Sequence, residues 1–193
     1  SKSKFILKCI KTWEEKLSDY QIIEWNESNF KLEDHPFAKE AYDAGKYAFV
    51  SDYVRVYVLY HYGGIYFDTD IEVRKDFTDK LIGAKFVIAF ELQLTPNPII
   101  FAQELSKFGL IFNGEYQEIG DGIRVYPNSV FGGYNVYDMV YTATDDTVVV
   151  HHYTASWRTV KEEIPVKVKK LFLKLFGVKN YRIARKLKHL LVR

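Results

Sequence analysis

Residues 60–70 read Tyr-His-Tyr-Gly-Gly-Ile-Tyr-Phe-Asp-Thr-Asp, an apolar run that follows a Gly-Gly break and ends in two carboxylates. In an extended segment alternate side chains point the same way, so Asp68 and Asp70 can both face one cation. Carboxylate oxygens are the ligands that Mg²⁺ and Mn²⁺ prefer, and such a metal often also holds phosphate oxygens. The stretch predicts a divalent-metal site for a phosphorylated ligand. A surface Asp-Thr-Asp turn is the alternative at this spacing.

A long helix is predicted just before this stretch, over residues 47–62, with Gly63 as its C-terminal cap. Within it, Asp52 and Arg55 are three residues apart and share a face. Charged groups are rarely buried without a partner or a ligand. The pair therefore either staples the helix or holds a polar ligand from a second side, opposite Asp68.

The composition is typical of a globular domain, with 48% hydrophobic and 27% charged residues. Cys9 is the only cysteine, which excludes an intrachain disulfide framework and a thiolate zinc site. No apolar run approaches the roughly 20 residues of a membrane span. We expect a cytoplasmic location, with peripheral attachment to the inner face of a bacterial membrane as an option that the tail suggests.

Charge is distributed unevenly along the chain. Residues 161–193 hold 11 Lys and Arg against two Glu, a net charge of +9, whereas residues 1–160 sum to −7. We predict a catalytic body over 1–160 and a basic tail over 161–193, built of two amphipathic helices that Gly177 separates. Such helices either lie on an anionic membrane surface or dock their apolar faces on the body. No nucleic-acid partner is expected, because no recognised nucleic-acid motif occurs.

The remaining periodicity predicts an alternating α/β architecture. An amphipathic helix opens the chain around Cys9 and Trp13, and residues 20–25 are predicted to form a strand. The other predicted elements are a helix over 36–45, strands over 71–73, 84–90 and 147–152, a helix from Asn97-Pro98 to about Gly109, and a loop region with short strands over 112–133.

Two adjacent histidines, His151 and His152, end the last predicted strand. Neighbouring residues of a strand face opposite sides, so at most one of them should reach a given site. Imidazole is a suitable third ligand for a Mn²⁺-type ion beside two carboxylates. A histidine at a strand end in solvent is the alternative.

Three motifs together resemble a known enzyme family. They are Val50-Ser51-Asp52-Tyr53-x-Arg55, Leu59-Tyr60-x-Tyr62-Gly63-Gly64-Ile65-Tyr66-x-Asp68-Thr69-Asp70 and His151-His152-x-x-x-Ser156-Trp157. They look like the DXD-motif, sugar-binding-region glycosyltransferases of family 32. The opening Cys9-Ile10-x-Thr12-Trp13 also resembles bacterial members that act in capsular polysaccharide synthesis.

This resemblance implies a GT-A fold, that is, a Rossmann-like nucleotide-sugar domain, and a retaining, hexosyltransferase-type reaction. The implied ligands are a nucleotide-sugar donor, with a UDP-sugar favoured, a glycan or lipid-linked acceptor, and Mn²⁺ or Mg²⁺. The resemblance assigns Asp70, Asp68 and His152 to the metal, with His151 as the second choice. Donor contacts are implied for Ser51, Asp52, Arg55, Tyr66, Asp68, Ser156 and Trp157, and Glu91 is a candidate near the reacting carbon.

The family usually begins with a strand that precedes the first helix of this chain. We therefore expect the first strand of the fold to be missing here, and a truncated, inactive homologue that binds membranes or glycans is the alternative function. A phosphatase of the haloacid-dehalogenase type is disfavoured because a long helix precedes the Asp68 motif. An EF-hand is excluded because Val73 stands where its loop needs Gly.

Overall fold

The computed structural model describes residues 2–90, 96–136, 138–154 and 160–191, with the side chains of 96–99, 160–163 and 184–191 left out of the description. The helices are α1 (Lys4–Lys16), α2 (Pro36–Asp43), α3 (Tyr47–Tyr62), α4 (Thr78–Leu81), α5 (Pro96–Ser106), α6 (Asn128–Phe131) and α7 (Val160–Leu191, interrupted at Gly177). The strands are β1 (Ile71–Val73), β2 (Phe86–Ala89), β3 (Gln117–Ile119), β4 (Ile123–Tyr126), β5 (Tyr134–Asn135), β6 (Val140–Tyr141) and β7 (Val149–His151).

The described strands form three small sheets. β1 pairs antiparallel with β7, and its register places Ile71 opposite His151. β4 lies between β2, to which it is parallel, and β3, to which it is antiparallel. β5 and β6 form an antiparallel pair. The β1–β7 pair brings the end of the Asp68–Asp70 stretch next to the two histidines, although about 80 residues separate them in sequence.

Helix α1 packs against this pair of strands. Ser3 caps its first turn, because the Ser3 hydroxyl accepts a hydrogen bond from the backbone N–H of Ile6. On its buried face, the indole N–H of Trp13 donates to the carbonyl of Ile71 at 2.6 Å. Trp13 belongs to a core that also contains Leu17, Val73, Phe77 and Val149. β1 is therefore held from one side by β7 and from the other by α1.

Helix α3 leads directly into the candidate site. It ends at Tyr62, and Gly63 follows with a φ of 70°, a left-handed conformation that glycine adopts at little cost. Residues 63–68 then run without regular secondary structure, and residues 69–70 form the turn that enters β1. The change of chain direction after Gly63 lets Asp68 reach back to the Arg55 side chain of α3.

Much of this mixed α/β architecture agrees with the sequence predictions. α1, α2, β1, β2, α5 and β7 lie where they were predicted within a few residues, and α3 has the predicted bounds. The break at Gly177 is confirmed by its non-helical backbone (φ 73°, ψ 166°). The GT-A assignment and the division at residue 160 remain predictions.

Two predictions of secondary structure differ from the structure. Residues 20–25 form no strand, because a strand needs a hydrogen-bonded neighbour and none of the described β-pairings includes this segment. Helix α6 lies inside the region predicted as loop and strands. No helix in the described part of the chain is long and apolar enough to span a bilayer.

Candidate functional site

A hydrogen-bonded network joins α3 to the Asp68 carboxylate. The Arg55 guanidinium Nη2 donates to Oδ1 of Asp68 at 3.0 Å, and the Tyr66 hydroxyl donates to the same oxygen at 3.1 Å. The Ser51 hydroxyl lies 3.0 Å from the Tyr66 hydroxyl. The Arg55 guanidinium carbon also lies 4.5 Å from the centre of the Tyr66 ring. Two of the predicted donor-binding residues, Arg55 and Tyr66, therefore converge on one oxygen of Asp68, and Ser51 is linked to it through the Tyr66 hydroxyl.

Burial and charge act in opposite directions on this network. Burial alone would lower the pKa of Arg55, but the interactions with Asp68, Tyr66 and Asp52 together outweigh it and raise that pKa. Burial, together with the charge of Asp68, also raises the pKa of Tyr66. The guanidinium is therefore charged and the phenol neutral near pH 7, so that both groups act as hydrogen-bond donors.

Asp52 lies at the edge of the same network. Its Oδ1 is 3.7 Å from Nη2 of Arg55, an ion-pair distance across one turn of α3. The three-residue spacing predicted that Asp52 and Arg55 would share a face, and in the structure Arg55 also pairs with Asp68. Arg55 thus lies between two carboxylates, which fixes its position near the cavity described below.

Asp70 is buried and held by different partners. Its Oδ2 accepts hydrogen bonds from the backbone N–H of Thr154 at 2.7 Å and from the Thr154 hydroxyl at 2.9 Å. Its Oδ1 lies 3.3 Å from Nε2 of His151. Burial alone would raise the pKa of Asp70, but the hydrogen bonds from His151 and Thr154 outweigh it and hold that pKa well below its ordinary value. Asp70 is therefore ionised at any physiological pH.

The two histidines point to opposite sides of β7, as the period of a strand requires. His151 reaches the aspartates, with Nε2 at 3.3 Å from Asp70 and 3.8 Å from Oδ2 of Asp68. His152 instead lies with Nε2 at 3.0 Å from Glu72 Oε2 and Nδ1 at 2.8 Å from the Tyr141 hydroxyl.

This placement differs from the sequence prediction, which preferred His152 as the ligand. The sequence His151-His152 does not reveal which of the two side chains faces Asp70. That choice depends on the β1–β7 register, which places His151 beside Ile71.

The donor chemistry around His151 suits a divalent cation. One oxygen of each aspartate faces the imidazole nitrogen, and the opposite oxygens are held by Arg55, Tyr66 and Thr154. Carboxylate and imidazole are ligands that Mn²⁺ accepts. Within the described ranges, however, no group of three or more His, Cys, Asp or Glu side chains is arranged to hold a metal ion. The protein atoms therefore offer donors of the right kind without forming a complete cage.

A cavity of about 640 Å³ opens beside this network. It lies between the 20–27 segment, α3 and residues 62–69, and it reaches Ser51 and Tyr66. Its lining is mostly apolar and includes the aromatic pair Trp25 and Tyr62, whose ring centres are 5.3 Å apart. The size and the apolar lining with a few polar groups at one end are typical of a small-molecule site.

Some predicted positions cannot be placed. Ser156, Trp157 and Glu91 lie outside the described residues. Conversely, the sequence analysis gave no role to Thr154, which makes two of the hydrogen bonds to Asp70. The only feature of the sequence that points to Thr154 is its position two residues after the histidine pair. There the chain has just left β7, and its backbone N–H can point toward a neighbouring carboxylate.

The comparison with protein families bears on this same region. Residues 4–87 match the family model described as a glycosyltransferase sugar-binding region containing a DXD motif. The matched segment includes α3 and the turn at Asp68 and Asp70. Neither the curated proteins nor the solved structures gave a match. Over residues 4–87 the chain is thus similar to the DXD-containing glycosyltransferases, which supports a sugar-transfer activity and a sugar-containing substrate.

Proposed function

We propose that this protein is a metal-dependent, retaining glycosyltransferase that transfers a hexose from a nucleotide-sugar to a glycan or lipid-linked acceptor in surface polysaccharide synthesis. The observation that carries the proposal is the convergence of Asp68 and Asp70 on a single imidazole nitrogen. The carboxylate oxygen that points away from His151 is hydrogen-bonded in each case, to Arg55 of α3 for Asp68 and to Thr154 after β7 for Asp70. The family match over this region supports the sugar-transfer part of the proposal.

Asp70 and Asp68 would hold Mn²⁺ or Mg²⁺, with His151 as the third protein donor. Magnesium-type ions are commonly held by one or two carboxylates together with the phosphates of the substrate. A partial set of protein donors is therefore compatible with a cation that arrives with a diphosphate. When bound, such an ion neutralises the charge that develops on a leaving phosphate.

Arg55 has a second function in this proposal. Its guanidinium is fixed between Asp52 and Asp68, and a planar guanidinium is well suited to phosphate and to sugar hydroxyls. A positioned positive charge near the leaving diphosphate stabilises the transition state more than the ground state. Asp52 would accept hydrogen bonds from hydroxyls of the donor sugar.

The nucleoside would occupy the cavity beside Ser51 and Tyr66. The Trp25 and Tyr62 rings offer flat apolar surfaces for a base. The Ser51 and Tyr66 hydroxyls, which are hydrogen-bonded to each other, offer polar contacts at the end of the cavity nearest Asp68. The donor therefore extends from the cavity toward the two aspartates.

Thermal unfolding with nucleotides tests the donor site directly. A ligand that binds only the native state raises the melting temperature by mass action, so we expect UDP to raise it in the presence of Mn²⁺ and much less in its absence. The shifts with GDP and CMP are compared with the shift with UDP to identify the base that the site prefers. Asp70→Asn should abolish the Mn²⁺-dependent shift.

The matched control is Asp19→Asn, which changes an exposed aspartate outside the site and should keep the full shift. An Asp70→Asn variant that is stabilised by UDP and Mn²⁺ as strongly as the parent would contradict the metal assignment. Absence of a shift with all three nucleotides in the parent would contradict the donor site.

A further inference from the structure

Helix α7 presents an exposed apolar face. Ile164, Val168, Leu171 and Leu175 are spaced by four, three and four residues, which places them in one row along the helix. Their exposed fractions lie between 55% and 65%. The row, named here the tail stripe, is about 16 Å long at 1.5 Å per residue. Isolated exposed apolar residues are ordinary, but an ordered row of four on one helix face indicates an interaction surface.

The tail stripe is not the side by which α7 contacts the rest of the protein. The Lys169 ammonium donates to the carbonyl of Val136 at 3.1 Å, and Arg182 forms an ion pair with the buried carboxylate of Asp138 at 2.6 Å. Because successive helix residues are rotated by about 100°, Lys169 projects well away from the stripe. The tail thus contacts the rest of the protein through another side of α7, and the tail stripe faces away from these contacts.

The positive charge around the tail stripe indicates which kind of partner this surface binds. Lys174 and Lys170 are exposed and lie about 90° and about 130° around the helix from the tail stripe, on the flank opposite Lys169. The whole 161–193 segment has a net charge of +9. A protein-binding helix face needs a complementary patch, whereas an apolar row flanked by lysines matches the acyl–headgroup boundary of an anionic bilayer. Lysine side chains can extend along apolar surface and keep their ammonium groups among phosphates.

We propose that α7 lies in the plane of an anionic lipid surface, with the tail stripe inserted among the acyl chains and Lys170 and Lys174 among the headgroup phosphates. The site on α3 and β1 then remains on a body that is tethered through Lys169 and Arg182. This surface does not depend on sugar transfer, because no residue of the Asp68–Asp70 site takes part in it.

Vesicle flotation of the full chain tests the proposal. We expect co-flotation with vesicles of phosphatidylcholine mixed with phosphatidylglycerol, and little with phosphatidylcholine alone. Lys170→Gln/Lys174→Gln should weaken binding to the anionic vesicles by about tenfold or more. The matched control, Lys8→Gln/Lys16→Gln on α1, removes the same charge from exposed positions elsewhere and should bind within about twofold of the parent.

A second pair of variants tests the apolar side chains of the tail stripe. Val168→Ser/Leu171→Ser/Leu175→Ser should abolish flotation, while Leu7→Ser/Ile82→Ser/Ile111→Ser, at three comparably exposed positions of the body, should keep it. Circular dichroism and unfolding curves establish that each variant is folded. The charge variant, which removes no apolar group, tests the same surface without risk to the helix.

Three outcomes would overturn the proposal. The first is an absence of flotation with anionic vesicles, and the second is equal flotation of the parent and of Lys170→Gln/Lys174→Gln. The third is a parent that is dimeric by light scattering, does not float, and becomes monomeric when the tail stripe is changed to serine, since the stripe would then be an interface with a second copy. The assay contains no nucleotide, metal or sugar, so its result is independent of the proposed enzymatic activity.

Discussion

Arg55 and Asp68 are joined by a 3.0 Å hydrogen bond between Nη2 and Oδ1, across the helix end at Gly63. This contact ties the middle of α3 to a segment that has no regular secondary structure of its own. The same Asp68 oxygen accepts from Tyr66, so its lone pairs are occupied and its other oxygen is directed at His151. The geometry of the DXD turn therefore depends on α3.

The Arg55–Asp68 pair should contribute measurably to stability. Both side chains are about one-third exposed, so solvent screening limits the coupling to about 1 kcal/mol. We expect a double-mutant cycle of Arg55→Ala and Asp68→Ala, followed by urea unfolding, to show this coupling. The cycle of Lys39→Ala and Asp43→Ala, an exposed pair on α2, should give a smaller value. Equal couplings in the two cycles would mean that the α3 contact is an ordinary surface pair.

Thr154→Val removes one of the two hydrogen bonds to Oδ2 of Asp70 and keeps the shape of the side chain. The backbone N–H remains as a donor, so we expect a loss of about 1 kcal/mol in the free energy of unfolding. Groups that orient a metal-binding carboxylate typically affect affinity by about tenfold or more, and we expect Mn²⁺-dependent UDP binding to weaken accordingly. Calorimetric titration measures the affinity, and urea unfolding measures the stability.

Thr142→Val, at an exposed position after β6, is the control for this substitution and should leave both quantities unchanged. If Thr154→Val binds Mn²⁺ and UDP as well as the parent, the Thr154 hydroxyl does not orient Asp70 for the ligand.

Cys9 should react slowly with thiol reagents. Burial, together with the charges of Glu72 and Asp70, raises its pKa from 9.0 to about 11. The thiolate fraction near pH 8 is therefore about 100-fold lower than in the unfolded chain, since each pKa unit is a factor of ten. Alkylation by iodoacetamide, followed by mass spectrometry with and without urea, measures the difference. Comparable rates in the two conditions would contradict the buried, neutral thiol.

The same pKa shift predicts how stability depends on pH. The unfolded chain releases the Cys9 proton first, so the contribution of the neutral thiol is fully present below about pH 9 and is lost as the pH rises toward about 11. The difference in unfolding free energy between the parent and Cys9→Ala should therefore shrink from pH 8 to pH 10. A difference that does not depend on pH would show that this thiol is not protonated preferentially in the native state.

The parts of the fold that sequence predicts well are those with a local cause. The bounds of α3 follow from its periodicity and from Gly63, whose left-handed backbone ends the helix. The pairing of Asp52 with Arg55 follows from helix geometry. The convergence of Asp68 and Asp70 on His151 does not follow from the alternation expected of an extended segment, because residues 69–70 form a turn.

The parts that sequence does not predict depend on long-range register. His151 and His152 are equivalent until β7 pairs with β1 in a particular register. Thr154 gains its function only because the end of β7 lies beside Asp70. Residues 20–25 have the composition of a strand, but strand formation needs a hydrogen-bonding neighbour, which the composition does not supply.

The two histidines give the most discriminating experiment on the site. His151→Ala should weaken Mn²⁺-dependent UDP binding by about tenfold or more, because it removes the imidazole that lies between the two aspartates. His152→Ala should leave Mn²⁺ binding intact and lower the free energy of unfolding by about 1–2 kcal/mol, because Tyr141 and Glu72 each lose a hydrogen-bonding partner. Calorimetric titration with Mn²⁺ and UDP, paired with urea unfolding of each variant, separates the two effects. The opposite pattern, with Mn²⁺ binding lost only in His152→Ala, would assign the ligand to the residue that the sequence analysis preferred and would require β7 to present its other face to Asp70.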